Sequence, residues 1–391
     1  MLRRLWLLFA QATTVGLALL FIVTTLKPEW LRRGPAVQPT PVSGNVSIQQ
    51  VATTTAPTRA DALASYGEAA RVAAPAVVSV YSTKEVRRAP FGDDPLLERF
   101  FGGERGRRGD AERVSSLGSG VIATRDGYVL TNNHVVQAAD EIAVALADGR
   151  RLPAKLVGAD PETDLALLRV EATDLPAVTF GRAESLAVGD VVLAIGNPFD
   201  VGQTVTMGIV SALGRNNLGI NLYENFIQTD AAINQGNSGG ALVDTRGNLV
   251  GINTAIYSGS GGSIGIGFAI PTTIITEVLD QLIKNGKVVR GYFGIEPEDI
   301  TPEVAEALKL PRAKGVFIRG LVNGAPADKA GMLPGDVLVA IDGAPVEGTP
   351  SMLRQIARLT PGATARVTVL RNAKEVALTV TVGERGTSER R

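Results

Sequence analysis

The stretch Gly118-Ser119-Gly120-Val121-Ile122-Ala123-Thr124-Arg125-Asp126-Gly127-Tyr128-Val129-Leu130-Thr131-Asn132-Asn133-His134-Val135-Val136 decides how the chain is read. Two apolar runs, 121–123 and 128–130, flank Asp126-Gly127. Asp-Gly accepts the positive φ that a tight two-residue turn requires, so the stretch is predicted to be a β-hairpin. Its second strand runs into a polar Thr/Asn cluster carrying His134, the single histidine among 391 residues.

The same pattern recurs on the C-terminal side. Residues 141–146 and 151–156 flank Asp148-Gly149, and 241–243 and 249–252 flank Arg246-Gly247-Asn248. Further strands are predicted at 165–170, 191–195, 204–211 and 226–229. Many short strands at this spacing argue for an all-β barrel or sandwich. A helix follows from Pro271 to Lys284, ended by Asn285-Gly286. Residues 290–382 read as a second compact unit, with strands at 315–321, 337–341, 365–370 and 376–382 and helices at 301–308, 325–330 and 350–359. On the N-terminal side, a short helix is expected at 60–74 and a strand at 76–81. Residues 84–116, rich in Arg, Gly, Asp and Pro, are expected to form a long mobile loop.

Residues 5–26 form a 22-residue run with no charge. A spanning helix needs about 20 such residues, whereas a cleaved signal has an apolar stretch of about 7–15 and a small-residue cleavage site. No such site follows, so an uncleaved membrane anchor is expected at 5–26, with 1–4 at its cytoplasmic end. Arg3 and Arg4 support that orientation, and Lys27, Arg32 and Arg33 on the far side oppose it. Residues 27–62, with several prolines, read as a tether. The boundaries that follow are 63–286 for the first domain, 287–384 for the second and 385–391 for a polar tail.

Composition removes several function classes. Lys plus Arg equals Asp plus Glu at 39 each, so no basic field points to nucleic acid. With no cysteine, thiol catalysis, disulfides and thiolate metal sites are excluded, and one histidine cannot make a two-histidine metal site. No cofactor or metal is expected.

Gly236-Asn237-Ser238-Gly239-Gly240 is the sharpest chemical signal. A nucleophilic serine needs an exposed hydroxyl and backbone N–H groups turned toward a developing oxyanion, and flanking glycines permit both. Alone, this pattern is weak and reads more readily as a glycine-rich hairpin loop. A serine nucleophile also needs a base, and His134 stands at an element end where one would serve. The third group should be a carboxylate orienting the imidazole. Asp164 opens the run Asp164-Leu165-Ala166-Leu167-Leu168, where an acid at the head of a buried strand calls for a specific partner. Asp140, Asp160, Asp190 and Asp230 remain open alternatives.

Taken together, Thr131-Asn132-Asn133-His134-Val135-Val136, Thr163-Asp164-Leu165-Ala166-Leu167-Leu168, Gly236-Asn237-Ser238-Gly239-Gly240-Ala241-Leu242, Ala194-Ile195-Gly196-Asn197-Pro198 and Gly267-Phe268-Ala269-Ile270-Pro271 closely resemble the HtrA/Deg family of serine proteases. The resemblance covers about residues 64–384 and implies a chymotrypsin-like double β-barrel. It implies that Asp164 is the orienting acid and that the N–H groups of Gly236 and Ser238, with Asn237 beside them, form an oxyanion hole. Trypsin-like enzymes carry an Asp before the serine that pairs with a new N-terminus after zymogen cleavage. Asn237 cannot form that ion pair, so activation by loop ordering is implied, with 214–225 and 257–266 as the loops. By the same analogy Ile233, Ile264, Ile266 and Phe268 would line a pocket for small aliphatic side chains.

The second unit resembles a PDZ domain, an α+β fold. Arg290-Gly291-Tyr292-Phe293-Gly294-Ile295 matches its carboxylate-binding loop, so Tyr292, Phe293, Gly294 and Ile295 would receive a peptide C-terminus and the peptide would add as a strand. Anchor, protease and one PDZ domain resemble the DegS-like branch of the family. That implies a homotrimer in the bacterial inner membrane, with protease and PDZ domains in the periplasm, acting on misfolded or regulatory polypeptides. The rival reading is a non-catalytic PDZ scaffold that captures exposed C-termini at the membrane.

Overall fold

The computed structural model describes Trp6 and residues 65–86, 112–197, 202–234, 236–256, 262–301, 305–306 and 314–386. The chain divides into two units, 1–57 and 58–391, and everything described apart from Trp6 lies in the second. Among the described residues no helix is long and apolar enough to cross a membrane. The anchor expected at 5–26 and the tether expected at 27–62 fall almost wholly outside them.

A short helix, α1 (Gly67–Ala73), leads through a 3-10 turn into the first barrel. Its strands are β1 (Val77–Val86), β2 (Glu112–Ile122), β3 (Tyr128–Asn132), β4 (Glu141–Ala145), β5 (Arg151–Asp160) and β6 (Leu165–Val170). They close in the order β1-β2-β3-β6-β5-β4, each pair antiparallel. The Asp126-Gly127 turn joins β2 to β3 as predicted, with Gly127 at φ 108°. A one-turn helix, α2 (Asn133–Val136), follows β3 directly.

The second barrel repeats the topology. Its strands are β7 (Val191–Gly196), β8 (Thr204–Arg215), β9 (Phe226–Thr229), β10 (Ala241–Val243), β11 (Leu249–Ile256) and β12 (Gly267–Pro271), closed as β10-β11-β12-β9-β8-β7. Helix α3 (Thr272–Asn285) buries Ile275, Val278 and Leu282, spaced to form one face, and Gly286 ends it at φ 68°. Pro271 is its N-cap. One core cluster runs from Val77, Leu130 and Leu167 of the first barrel to Ile195, Phe226 and Ile252 of the second and Leu282 of α3. The two barrels therefore share a wall, and the loops over that wall can meet.

The C-terminal unit has strands β13 (Gly291–Tyr292), β14 (Ile295–Asp299), β15 (Val316–Leu321), β16 (Val337–Ile341), β17 (Ala344–Pro345), β18 (Thr364–Arg371), β19 (Lys374–Thr381) and β20 (Gly383–Glu384). Its main sheet runs β14-β15-β16-β18-β19, so β14 is an edge, while β13 pairs with β20. Helices α4 (Pro326–Lys329) and α5 (Thr349–Ala357) complete it around Ile318, Leu338, Met352 and Val369. Of the helix expected at 301–308, residues 305–306 are described and helical.

One expectation is corrected. The loop read at 84–116 is shorter, because β1 continues to Val86 and β2 begins at Glu112, in one register from Val77↔Val121 to Val86↔Glu112. Ladder hydrogen bonds come from the backbone, so two arms continue pairing through polar residues once a core-facing segment has set their register. Residues 87–111 lie outside those described.

Candidate active site

His134 stands on α2, held where β3 ends. Asp164 immediately precedes β6, the strand paired with β3 through Asn132↔Leu165. The pairing of two buried strands thus carries the base and the acid to the same end of the barrel. Asp164 makes two contacts to the same residue: Oδ2 lies 2.7 Å from His134 Nδ1, and Oδ1 accepts the His134 N–H at 2.9 Å. Its carbonyl accepts from Asn133 N at 3.1 Å and Asn132 Nδ2 at 2.9 Å. The Asn/Thr cluster around the histidine therefore grips the residue opposite it. Asp164 has φ 61°, a left-handed conformation that Asp and Asn adopt more readily than other non-glycine residues. The carboxylate is 8% exposed as a residue, and the imidazole keeps 29% of its side-chain surface.

Three of the rival carboxylates are engaged elsewhere. Asp160 binds Arg290, Asp190 binds Ala187 N and Asp230 binds Ile209 N.

Ser238 comes from the second barrel, on the turn before β10. Its carbonyl accepts Ser119 N at 2.8 Å, and Gly239 N donates to Asn253 O at 2.8 Å. The Ser119 hydroxyl donates to Gly236 O at 2.5 Å and accepts from Asn197 N at 2.8 Å. Gly118-Ser119 from the first barrel, Asn197 after β7 and the Gly236–Ser238 turn are thereby tied together. Gly239 has φ 84°, and a Cβ there would collide with Ser119 O and Thr131 Oγ1, so glycine is required at this close approach.

Thr254 links the two halves. Its Oγ1 donates to Asp164 Oδ2 at 2.7 Å, and its carbonyl accepts the Ser238 hydroxyl at 3.3 Å. Sequence reasoning missed this residue, since a threonine inside a buried strand carries no signal of its own. Glu224 was missed as well: its carboxylate accepts the N–H groups of Leu218, Ile220 and Asn221 at 2.7, 2.7 and 3.1 Å and so shapes the 216–224 loop.

Beside the expected oxyanion hole, Asn237 donates its backbone N–H to Asn234 O at 3.0 Å. Its side chain lies against Gly196. Gly236, at φ 99°, and Ser238 have N–H groups with no acceptor among the described residues. The four residues expected to line a pocket do not share one environment. Ile233 and Phe268 are buried in different core clusters, Phe268 against Phe226 at 5.9 Å between centroids, while Ile264 is 60% exposed. Ile233 does meet the 264–268 segment, since a Cβ on Gly267 would lie 2.9 Å from Ile233 Cδ1.

In the C-terminal unit, Gly294 has φ 76°, and a Cβ there would collide with Ala325. The carbonyls of Phe293 and Gly294 accept from Ala327 N and Val322 N, both at 2.9 Å. The loop is thus clamped at the start of the edge strand β14. Among the described residues no cluster of His, Asp and Glu is arranged to hold a metal.

Two six-stranded barrels, with a histidine–carboxylate pair on one and a serine turn on the other, define the chymotrypsin class of fold. Residues 118–252 match the trypsin-like peptidase domain family and residues 291–382 the PDZ domain family. A probable periplasmic serine endoprotease, DegP-like, of Chlamydia trachomatis is 44% identical over 311 residues, covering 78% of this chain and 63% of the relative. Its counterpart in Chlamydia pneumoniae is 41% identical over 334 residues, covering 82% and 68%. The chain thus spans somewhat less than two thirds of the first of these. Among solved structures, the HtrA-type protease AlgW with a decapeptide is 52% identical, with a TM-score of 0.72, covering 83% of this chain and all of that one, 100%. A serine endoprotease from Yersinia pestis is 40% identical, with a TM-score of 0.62, covering 85% and 100%. The chain belongs to the HtrA/Deg family of serine endoproteases, with a trypsin-like domain and one PDZ domain.

Proposed function

We propose that this chain cleaves polypeptides through Ser238, with His134 as general base and Asp164 as its orienting acid. The observation that carries the reading is the double contact of Asp164 with His134. A carboxylate on Nδ1 favours the tautomer that keeps Nδ1–H and leaves the Nε2 lone pair to accept a proton. Ser238 Oγ attacks the scissile carbonyl carbon as its proton passes to Nε2, and the carbonyl π electrons move to oxygen. The Gly236 and Ser238 N–H groups stabilise that oxyanion. Collapse breaks the C–N bond, and the imidazolium gives its proton to the leaving amine. Water then repeats the sequence on the acyl-enzyme, releasing the acid and Ser238.

The clamped loop at Tyr292–Ile295 and the free edge of β14 support capture of a peptide C-terminus, with the peptide added as a strand. AlgW structures with a tripeptide and a decapeptide agree with a peptide ligand. The names of the relatives support a periplasmic site of action, and the apolar run at 5–26 supports a single-pass anchor. The domain limits 63–286 and 287–384 and a homotrimer complete the reading.

The test is cleavage of an unfolded protein by the full chain in detergent, beside Ser238→Ala. The variant should lose turnover and labelling by a fluorophosphonate probe while keeping its melting temperature. Undiminished cleavage by Ser238→Ala overturns the assignment. Extraction of membranes with alkaline carbonate should leave the chain in the pellet if 5–26 is an anchor.

A further inference from the structure

Between α5 and the 216–224 loop lies a cavity of about 180 Å³, whose lining includes Asn216, Asn217, Asn221, Thr349, Leu353 and Arg354. Two buried polar atoms of its lining residues, Arg354 Nη1 and Thr349 Oγ1, have no hydrogen-bond partner among the described residues. Buried polar groups are nearly always satisfied, so two orphans at one cavity point to a missing ligand. Arg354 has no carboxylate partner among the described ion pairs, whereas its neighbour Arg358 binds Glu277 at 2.6 Å. Burial first, and then the charge of Arg358, hold the Arg354 guanidinium below its ordinary pKa, as expected for a cation without its counter-charge.

The acidic groups nearby are already engaged. Glu224 accepts three backbone N–H groups. Asp299 accepts Thr349 N at 2.7 Å and Asn217 Nδ2 at 3.4 Å. Those two bonds also place the cavity, because they join the far end of β14 to the start of α5 and to the 216–224 loop. A peptide antiparallel to β14, with its carboxylate at Tyr292–Ile295, runs back toward Asp299. At about 3.3 Å per residue, its fourth or fifth residue from the C-terminus reaches that end.

We propose that this cavity is a subsite for an acidic side chain four or five residues upstream of a bound peptide's C-terminus, with Arg354 as its cationic partner. The inference rests on the peptide-capture reading above and adds a sequence requirement to it. In the occupied subsite Arg354 supplies the guanidinium and Thr349 Oγ1 a second donor. The side chain would then touch the loop whose Asn221 Nδ2 holds Thr163 O at 3.1 Å, next to Asp164.

The experiment is fluorescence anisotropy on the full chain in detergent, carrying Ser238→Ala to prevent turnover. Labelled decapeptides carry one aspartate moved stepwise from the third to the seventh position from the C-terminus, each beside its asparagine counterpart. An amidated version of each provides the control. Aspartate at the fourth or fifth position should bind about fivefold or more tightly than asparagine, as a charge-assisted hydrogen bond in a half-buried site would give. The preference should fall below about twofold in Arg354→Gln and persist in Arg354→Lys, on the same principle. Equal binding of aspartate and asparagine peptides to the unmodified Arg354 protein overturns the subsite, whatever the variants do. So does a preference at another position, or one that survives Arg354→Gln. If amidated and free peptides bind equally, or none binds, the capture reading fails and the subsite falls with it.

Discussion

At the scale of single residues, Asp164 carries the most argument. It binds one neighbour twice, sits at a left-handed φ and takes a third bond from Thr254. Asparagine tolerates that backbone conformation, so Asp164→Asn should fold. Its amide can present Nδ2–H to the imidazole and stabilise the wrong tautomer. Steady-state kinetics on a peptide substrate should show kcat falling by about 10³- to 10⁴-fold with the circular dichroism spectrum unchanged. Thr254→Val keeps the shape of the side chain and removes one donor to Asp164. A loss of about five- to tenfold in kcat/KM is expected, corresponding to roughly one hydrogen bond, with a shifted pH profile as the sign of a disturbed imidazole. An unchanged profile would mean that Thr254 only packs. The histidine stood out in the sequence because it is the only one there, and the serine because glycines flank it. Thr254 did not, because its role depends on a strand 90 residues from Asp164 arriving beside it.

Elements explain why these side chains meet. β3 and β6 are hydrogen-bonded neighbours, so His134 and Asp164 share one barrel end without help from the other barrel. The serine turn depends on close backbone approach, and Gly239 is where that approach is tightest. In Gly239→Ala, the positive φ and the collision with Ser119 O should together cost about 2 kcal/mol or more, read as a lower melting temperature and lost activity. A full-strength Gly239→Ala enzyme would show that the turn can shift freely. Hairpins with Asp-Gly turns were legible because local turn chemistry and alternating apolar residues specify them. The polar continuation of β1 and β2 was not, because their pairing is supplied by a partner strand rather than by their own side chains.

Across the whole second unit, Arg290 is the central tie between the protease and the PDZ domain. It is 8% exposed, pairs with Asp160 through two nitrogens at 2.7 and 2.6 Å, and lies over the Tyr223 ring at 4.5 Å. Arg385 joins it through Glu162. Removing one partner of a buried pair leaves the other charge unmatched, so Arg290→Ala should cost about 3–5 kcal/mol in chemical denaturation. Arg290→Ala combined with Asp160→Ala should cost less than the sum of the single changes, and strict additivity would deny the coupling. Tyr223 adds a pH dependence. Burial first, and then the charge of Glu162, raise its pKa above the ordinary tyrosine value. The sign follows: the neutral ring is favoured in the folded state, so its stabilisation is complete below about pH 10 and is lost as pH rises beyond that. Tyr223→Phe should flatten this alkaline loss, measured as melting temperature against pH.

The sequence by itself determined the run of hairpins, the PDZ loop glycine, the single histidine and the glycine-flanked serine. Each depends on local backbone preference or on a residue type whose chemistry is rare in the chain. Tertiary structure decided which carboxylate meets His134, that Asn237 spends its N–H on Asn234, and that Ile233 and Phe268 face different cores. It also decided that Arg354 has no carboxylate partner among the described residues. Each of these depends on contacts between segments far apart in the chain, whose distances follow from barrel closure and domain packing rather than from the pattern of either segment alone.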